Sequence, residues 1–143
     1  MTGLQSAEKD ELVFVRLFPG EDLYASLKQA CAAHAVETAV VLSAVGQLKN
    51  FELGYFRSKG DYAPQTFEKP FELLALSGIV SRLDGSYNFH VHATLSGGDK
   101  TVVGGHLIRG TVEVTGEIVL LKSSLPVKRI TEETTGLKGL FLE

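Results

Sequence analysis

Three histidines carry the most chemical information in this chain. His90 and His92 stand two apart in the run Tyr87 to Leu95, and His106 ends the triplet Gly104-Gly105-His106. A β-strand sends positions i and i+2 to one face, so His90 and His92 project together if 87–95 is a strand. Imidazoles that converge on one face can bind a metal at Zn–N distances of about 2.0–2.1 Å. Three His ligands leave a coordination position open, the pattern of a catalytic zinc site rather than a closed structural one. A water there has its pKa lowered to about 7, which supplies hydroxide near neutral pH. The same ligands suit Cu, Fe and Ni. A plainer alternative stands beside this one: two alternating His can be partly buried polar residues with ordinary hydrogen bonds. Spacing alone does not decide between them.

Whether His106 joins the pair depends on hairpin register. Opposed residue numbers in an antiparallel pair have a constant sum. A two-residue turn at Gly98-Asp99 makes that sum odd and turns His106 away. A three-residue loop, Gly97 to Asp99 or Gly98 to Lys100, makes it even and brings His106 onto the shared face. Three-residue loops containing Gly are common in hairpins. Gly104 and Gly105 carry no side chains, so backbone or ligand could approach closely beside the site.

Other candidates carry less. Glu72, Arg109 and Glu117 are charged residues in strand-like sequence. A carboxylate near a metal could act in proton transfer, but a solvated strand face explains most of them. His34 falls at the last turn of a predicted helix, where an imidazole suits the negative dipole end. Cys31 shares that helix's apolar face and reads as a buried, inert thiol. There is no phosphate-cradling glycine loop between strand and helix, and no nucleophile elbow.

The elements that would position these residues follow from the pattern. Leu12 to Phe18 is β-branched and aromatic, and Pro19-Gly20 stops it. Glu21 and Asp22 open a helix whose apolar face is Leu23, Leu27, Ala30, Cys31 and His34, ending near 34–36. Ala39 to Val45 is a continuous apolar run that suits a buried strand. Strands are then expected at 51–57, 67–77 (one or two strands, with Pro70 an irregularity or edge position), 87–95, 101–108 and 112–121, with a late one near 127–130. The polar stretch 59–63 and Asp84-Gly85 read as turns. The expected fold is α+β: one main helix packed on a large antiparallel sheet, in a single domain over 11–143 behind a polar leader at 1–10.

Composition narrows the function. Fourteen Lys and Arg stand against 17 Asp and Glu over 143 residues, a formal net charge of -3. That argues against a general basic surface for nucleic acid. The local basic candidates are Arg57 with Lys59, and Lys122 with Lys128 and Arg129. One cysteine excludes an internal disulfide and a Cys-based zinc motif. Met1 to Glu11 is polar and shows no secretory signal, and no apolar run reaches the roughly 18 residues that span a bilayer. A cytoplasmic protein with no membrane partner is expected.

The residues also resemble a family. Glu72 to Gly78, His90-Val91-His92, Val102 to Leu107, Gly110 and Thr115-Gly116-Glu117 look like the plants and prokaryotes conserved (PPC) domain. Arg16-Leu17, Gly20 to Leu23, Ser43 to Gly46 and Thr135-Gly136 agree, so the resemblance covers nearly the whole chain. It implies a homotrimer of α+β subunits with zinc on His90, His92 and His106. The implied fold is also similar to that of acetolactate decarboxylase, a three-His zinc enzyme, but fold alone does not give function. In plants the domain follows AT-hook segments in nuclear regulators, hence the family's DNA-binding label. This chain lacks the hook and resembles the stand-alone prokaryotic branch. Two functions are therefore expected to compete: metal-dependent activity on a small oxygenated molecule, and a regulatory or DNA-associated assembly module whose metal is structural or sensory.

Overall fold

In the computed structural model, which describes residues 3–142, the chain begins with two paired strands, β1 (Gln5–Lys9) and β2 (Leu12–Leu17). Asp10 and Glu11 join them, both at positive φ, as a two-residue hairpin of this twist requires. The polar stretch read as a leader thus contributes an edge strand. Its single neighbour and largely exposed side chains leave it no hydrophobic alternation to betray it.

The single α-helix, α1 (Leu23–Ala33), starts where the acidic pair predicts. The Asp22 carboxylate caps it, accepting from the Ala25 N–H at 2.8 Å. Glu21 instead staples the entry: its carboxylate accepts from the N–H groups of Leu4 and Phe18, both at 2.7 Å. Leu23, Leu27, Ala30 and Cys31 are buried, as the spacing predicts.

Seven further strands follow: β3 (Thr38–Gly54), β4 (Gln65–Phe67), β5 (Phe71–Leu83), β6 (Ser86–Ser96), β7 (Val102–Ser123), β8 (Val127–Thr131) and β9 (Lys138–Leu142). The main sheet runs β1-β2-β7-β6-β5-β3-β4, with all its pairs antiparallel. β3 also pairs with β7, so β3, β5, β6 and β7 close a circuit. The hairpin β8–β9 forms a separate small sheet.

Two pairs of expected strands prove continuous. Ala39–Val45 and the start of Phe51–Arg57 are one 17-residue strand, β3. Register shifts along its pairing with β7, for example between Val41 and Ser43, let it bend without ending. Likewise 101–108 and 112–121 merge into the 22-residue β7. The stretch 67–77, expected as one or two strands, is two: it divides at Glu68 to Pro70, where proline cannot donate to a ladder.

The core sits between α1 and one face of the sheet. Val13, Val15, Leu17, Leu48, Phe51, Leu95, Leu107, Ile118 and Leu120 belong to it. On β6, Val91, Ala93 and Leu95 are buried, which turns the even-numbered residues outward. Fully burying one such aliphatic side chain contributes about 1.5–3 kcal/mol. A one-residue slip would move that whole set into water. The core residues of β6 therefore fix where its histidines point.

Candidate metal centre

The β6–β7 loop decides the register question. The Lys100 N–H donates to the Gly97 carbonyl at 2.9 Å, and the Gly97 N–H donates to the Thr101 carbonyl at 3.0 Å. The loop proper is Gly98-Asp99-Lys100, with Lys100 left-handed at φ 71°. The Asp99 carboxylate accepts from the Thr101 N–H at 2.9 Å and its hydroxyl at 3.0 Å. A three-residue loop makes the sum of opposed positions even, and His92 pairs directly with His106.

All three rings meet on the outer face of the sheet. Centroids lie 5.3 Å apart for His90–His92 and 5.7 Å apart for each of the other two pairs. One nitrogen from each ring lies within 4.8 Å of the others, an arrangement able to hold a metal ion. His90 and His92 are exposed and His106 is half-buried. Partial burial lowers the His90 pKa from its ordinary value, and Arg129 and His92 add to this. Burial also lowers the His106 pKa, reinforced by His90 and His92. Both shifts favour the neutral ring, the form that can donate a lone pair. The Nδ1 of His106 is buried with no hydrogen-bond partner. An orphaned buried nitrogen is what an imidazole whose partner is an ion or a water shows, so the residues present fit a metal.

The backbone is tailored around the rings. A Cβ on Gly78 would overlap the His90 carbonyl oxygen, so only glycine lets β5 run this close to β6. Gly104 and Gly105 lie within β7 rather than in a loop, and what approaches them is backbone. A Cβ would meet the Ala93 carbonyl oxygen at 3.0 Å or that of Gly54 at 2.9 Å. Gly54, opposite His106, makes room for the Tyr62 ring, which packs edge-on against His106 with centroids 5.3 Å apart. Beside the rings is a cavity of about 270 Å³, whose walls include His90, His106, Tyr62, Asn88, Leu137 and Lys138.

The other sequence candidates lie elsewhere. Glu72 pairs with Gln47 and Ser96, five residues along β5 from Ser77, the partner of His92. Its carboxylate accepts from Gln47 Nε2 at 3.3 Å. Arg109 is held by Glu52 at 3.0 Å and donates to the Asn50 carbonyl at 2.8 Å. Glu117 pairs with Arg16 and Val45. None of the three enters the cluster. His34 Nε2 meets the Ser6 hydroxyl at 2.9 Å, and its Nδ1 lies 3.6 Å from Glu8. That row resembles a nucleophile, base and orienter, but Lys122 holds the Glu8 carboxylate at 3.0 Å and also donates to the His34 carbonyl. It ties β1 to the end of α1. Sequence reasoning missed Tyr62, Asn88, Leu137 and Lys138. Asn88 was findable, since it precedes His90 by two and shares its face; nothing in the sequence marks the other three.

The sequence profile of the Plants and Prokaryotes Conserved (PCC) domain matches residues 4–124. The chain belongs to this family. The expected α+β fold of the PPC domain is the fold observed. The bifunctional protein GlmU of Synechococcus sp. (strain JA-2-3B'a(2-13)) is 36% identical over 131 residues, 90% of this chain and 20% of GlmU. The chain thus spans about a fifth of that relative's length. A metal-containing protein of Archaeoglobus fulgidus is 30% identical with a TM-score of 0.82, over 99% of both chains. A protein of Bacteroides thetaiotaomicron, provisionally named as DNA-binding, superposes with a TM-score of 0.90 over 99% of both chains. At 20% identity it shares the fold alone. Among the described residues no helix is long and apolar enough to cross a membrane.

Proposed function

We propose that His90, His92 and His106 of this PPC domain hold one divalent transition-metal ion, zinc foremost, and that the domain acts on a small oxygenated molecule in the adjoining cavity. The carrying observation is the convergence of three imidazole nitrogens within 4.8 Å. The orphaned Nδ1 of His106 and the metal-containing relative support it. A zinc there would supply Lewis-acid polarisation of a carbonyl oxygen, or a water of lowered pKa. The chain's own residues do the rest. His90, His92 and His106 would hold the ion through ring nitrogens, with the cavity beside it. Ile108 and Leu137 give that cavity apolar walls. Tyr62 holds His106 from the side.

The same reading makes the domain a homotrimer. Val40 pairs with Leu121 and Phe14 with Val119 on the outer face, and Val40, Leu121, Phe14, Leu42 and Val45 are exposed. A row of exposed aliphatic and aromatic side chains across adjacent strands suits an interface between copies.

The test is metal content per chain by elemental analysis of untagged protein, wild type and His92→Ala, with circular dichroism to confirm folding. About one zinc per chain, absent from the variant, is the expected result. No metal in either protein would overturn the reading.

The name of the Bacteroides protein favours a second reading, a DNA-associated assembly module with a structural or sensory metal. The surface opposes it. The net charge is -3, Lys122 is held by Glu8, and Arg57 faces Asp61 at 3.9 Å. Duplex binding that falls steeply with salt would establish it; no retention at low salt would dismiss it.

A further inference from the structure

The C-terminal hairpin β8–β9 lies beyond the segment that matches the family profile, yet it walls the cavity beside the histidines. It brings two cations there. Lys138 is a wall residue. Arg129 stands behind it, donating from Nη1 to the Lys138 carbonyl at 3.2 Å and from Nε to the Ser81 hydroxyl at 3.3 Å. Its third nitrogen, Nη2, is buried without a partner. Among the described residues neither cation forms an ion pair with a carboxylate. Among the described residues no Asp or Glu lines the cavity. Lys49, Arg57, Arg109 and Lys122 each face a carboxylate within 4.0 Å, and this pair does not.

The charge balance of the site follows. Three imidazole ligands would bring no negative charge to a bound dication. Lys138 and Arg129 add two positive charges beside it, against apolar walls that include Ile108 and Leu137. Lys138 is exposed, but the half-buried Arg129 guanidinium keeps Nη2 unpartnered; unmatched charge there is costly, and a ligand of opposite sign relieves it. Asn88 and Tyr62 add neutral polar groups on the wall for hydroxyl or carbonyl oxygens. A cavity of about 270 Å³ admits only a small molecule.

We infer that this cavity takes a small carboxylate-bearing molecule, its negative group held by Lys138 with Arg129 behind and its hydroxyl or carbonyl oxygen directed toward the three histidines. The direction of that second oxygen rests on the metal reading above; the anion preference does not, because it arises from the hairpin cations.

Lactate and its neutral counterpart lactamide test the charge, with inorganic phosphate as the competing oxyanion. Binding is followed by amide chemical shifts of the labelled protein, with and without added zinc, after metal content has been measured. Lactate is expected to bind about tenfold or more tightly than lactamide, and Lys138→Ala to weaken lactate about tenfold while Lys138→Arg restores it. The shifted amides should include those of 88–90 and 137–138. Equal affinity for lactate and lactamide, a Lys138→Ala variant that binds lactate like wild type, or a preference for phosphate over lactate would overturn the inference. Failure of the metal reading appears separately, as zero metal content and a lactate affinity that zinc does not change.

Discussion

His92 stands directly across the β6–β7 ladder from His106, and His90 lies two residues along on the same face. The pairing has a local cause and a distant one. Locally, a three-residue loop closed by Asp99 keeps opposed positions on one face. At a distance, β7 is gripped on its other edge by β3, where Gly54 pairs with His106. The chemistry of the site therefore depends on strands that contribute no ligand.

The histidines should make the metal-free protein sensitive to acid. His90 and His106 have lowered pKa values in the folded state. In the unfolded chain they return to about 6.5. As pH falls below that value, the unfolded state binds protons that the folded state refuses. Stability is then lost progressively down to the folded values and flat below them. Urea midpoints of metal-free protein between pH 8 and pH 5 should fall with pH. A His90→Gln, His106→Gln double variant should show a shallower slope. An unchanged slope would remove these two groups as its source.

Gly78→Ala should damage the fold at the site. The added methyl would overlap the His90 carbonyl oxygen, which is backbone and cannot rotate away. Overpacking of this kind costs about 1–3 kcal/mol, sometimes more. Gly85→Ala is the control. It too has a positive φ, at 78°, but nothing lies within 4 Å of its Cβ. It should lose only about 1–2 kcal/mol from the left-handed backbone. Chemical denaturation of the two variants, with metal content measured alongside, checks the contrast. Gly78→Ala should lose metal; Gly85→Ala should keep it.

Much of this site was legible in the sequence. Period-two spacing placed His90 and His92 together, and arithmetic reduced His106 to a choice of loop length. The choice itself was not legible, because Gly97, Gly98 and Asp99 support several turns and only the ladder selects one. Strand continuity in β3 and β7 was hidden for a related reason. Bulges and glycines look like punctuation in sequence, yet Gly116 pairs with Leu17 on one edge and Gly46 on the other. The cavity's far wall was invisible. Tyr62 packs on His106 from a loop and Lys138 lines the cavity from the hairpin, placements that leave no periodic signature.

Cys31 should be inert while the protein is folded. It is fully buried, and burial pushes its thiol up to about 11. Only thiolate reacts readily with disulfide reagents, and neither thiolate nor access is available at pH 8. Labelling with an aromatic disulfide should be negligible in buffer and reach one group per chain in denaturant. Rapid labelling without denaturant would mean that α1 opens on the reagent's timescale.

Tyr24 should act as the strut between the helix and the site. Its hydroxyl donates to the Leu107 carbonyl at 2.5 Å, and Leu107 directly follows His106. Its ring stacks on Phe89, the residue before His90, with centroids 5.4 Å apart. One side chain of α1 thus touches both strands next to their ligands. Tyr24→Phe keeps the stacking but leaves the Leu107 carbonyl unsatisfied. Losing one partner of a buried hydrogen bond costs about 1–3 kcal/mol. Tyr24→Leu should cost more, since the aromatic pair adds about 0.5–1.5 kcal/mol. The two roles separate by measurement. Stability, from denaturation, should fall in the order wild type, Phe, Leu. Zinc affinity, from competition with a chelator, should drop already in Tyr24→Phe if the bond to Leu107 steadies His106. Wild-type affinity in Tyr24→Phe, at reduced stability, would confine Tyr24 to holding the helix.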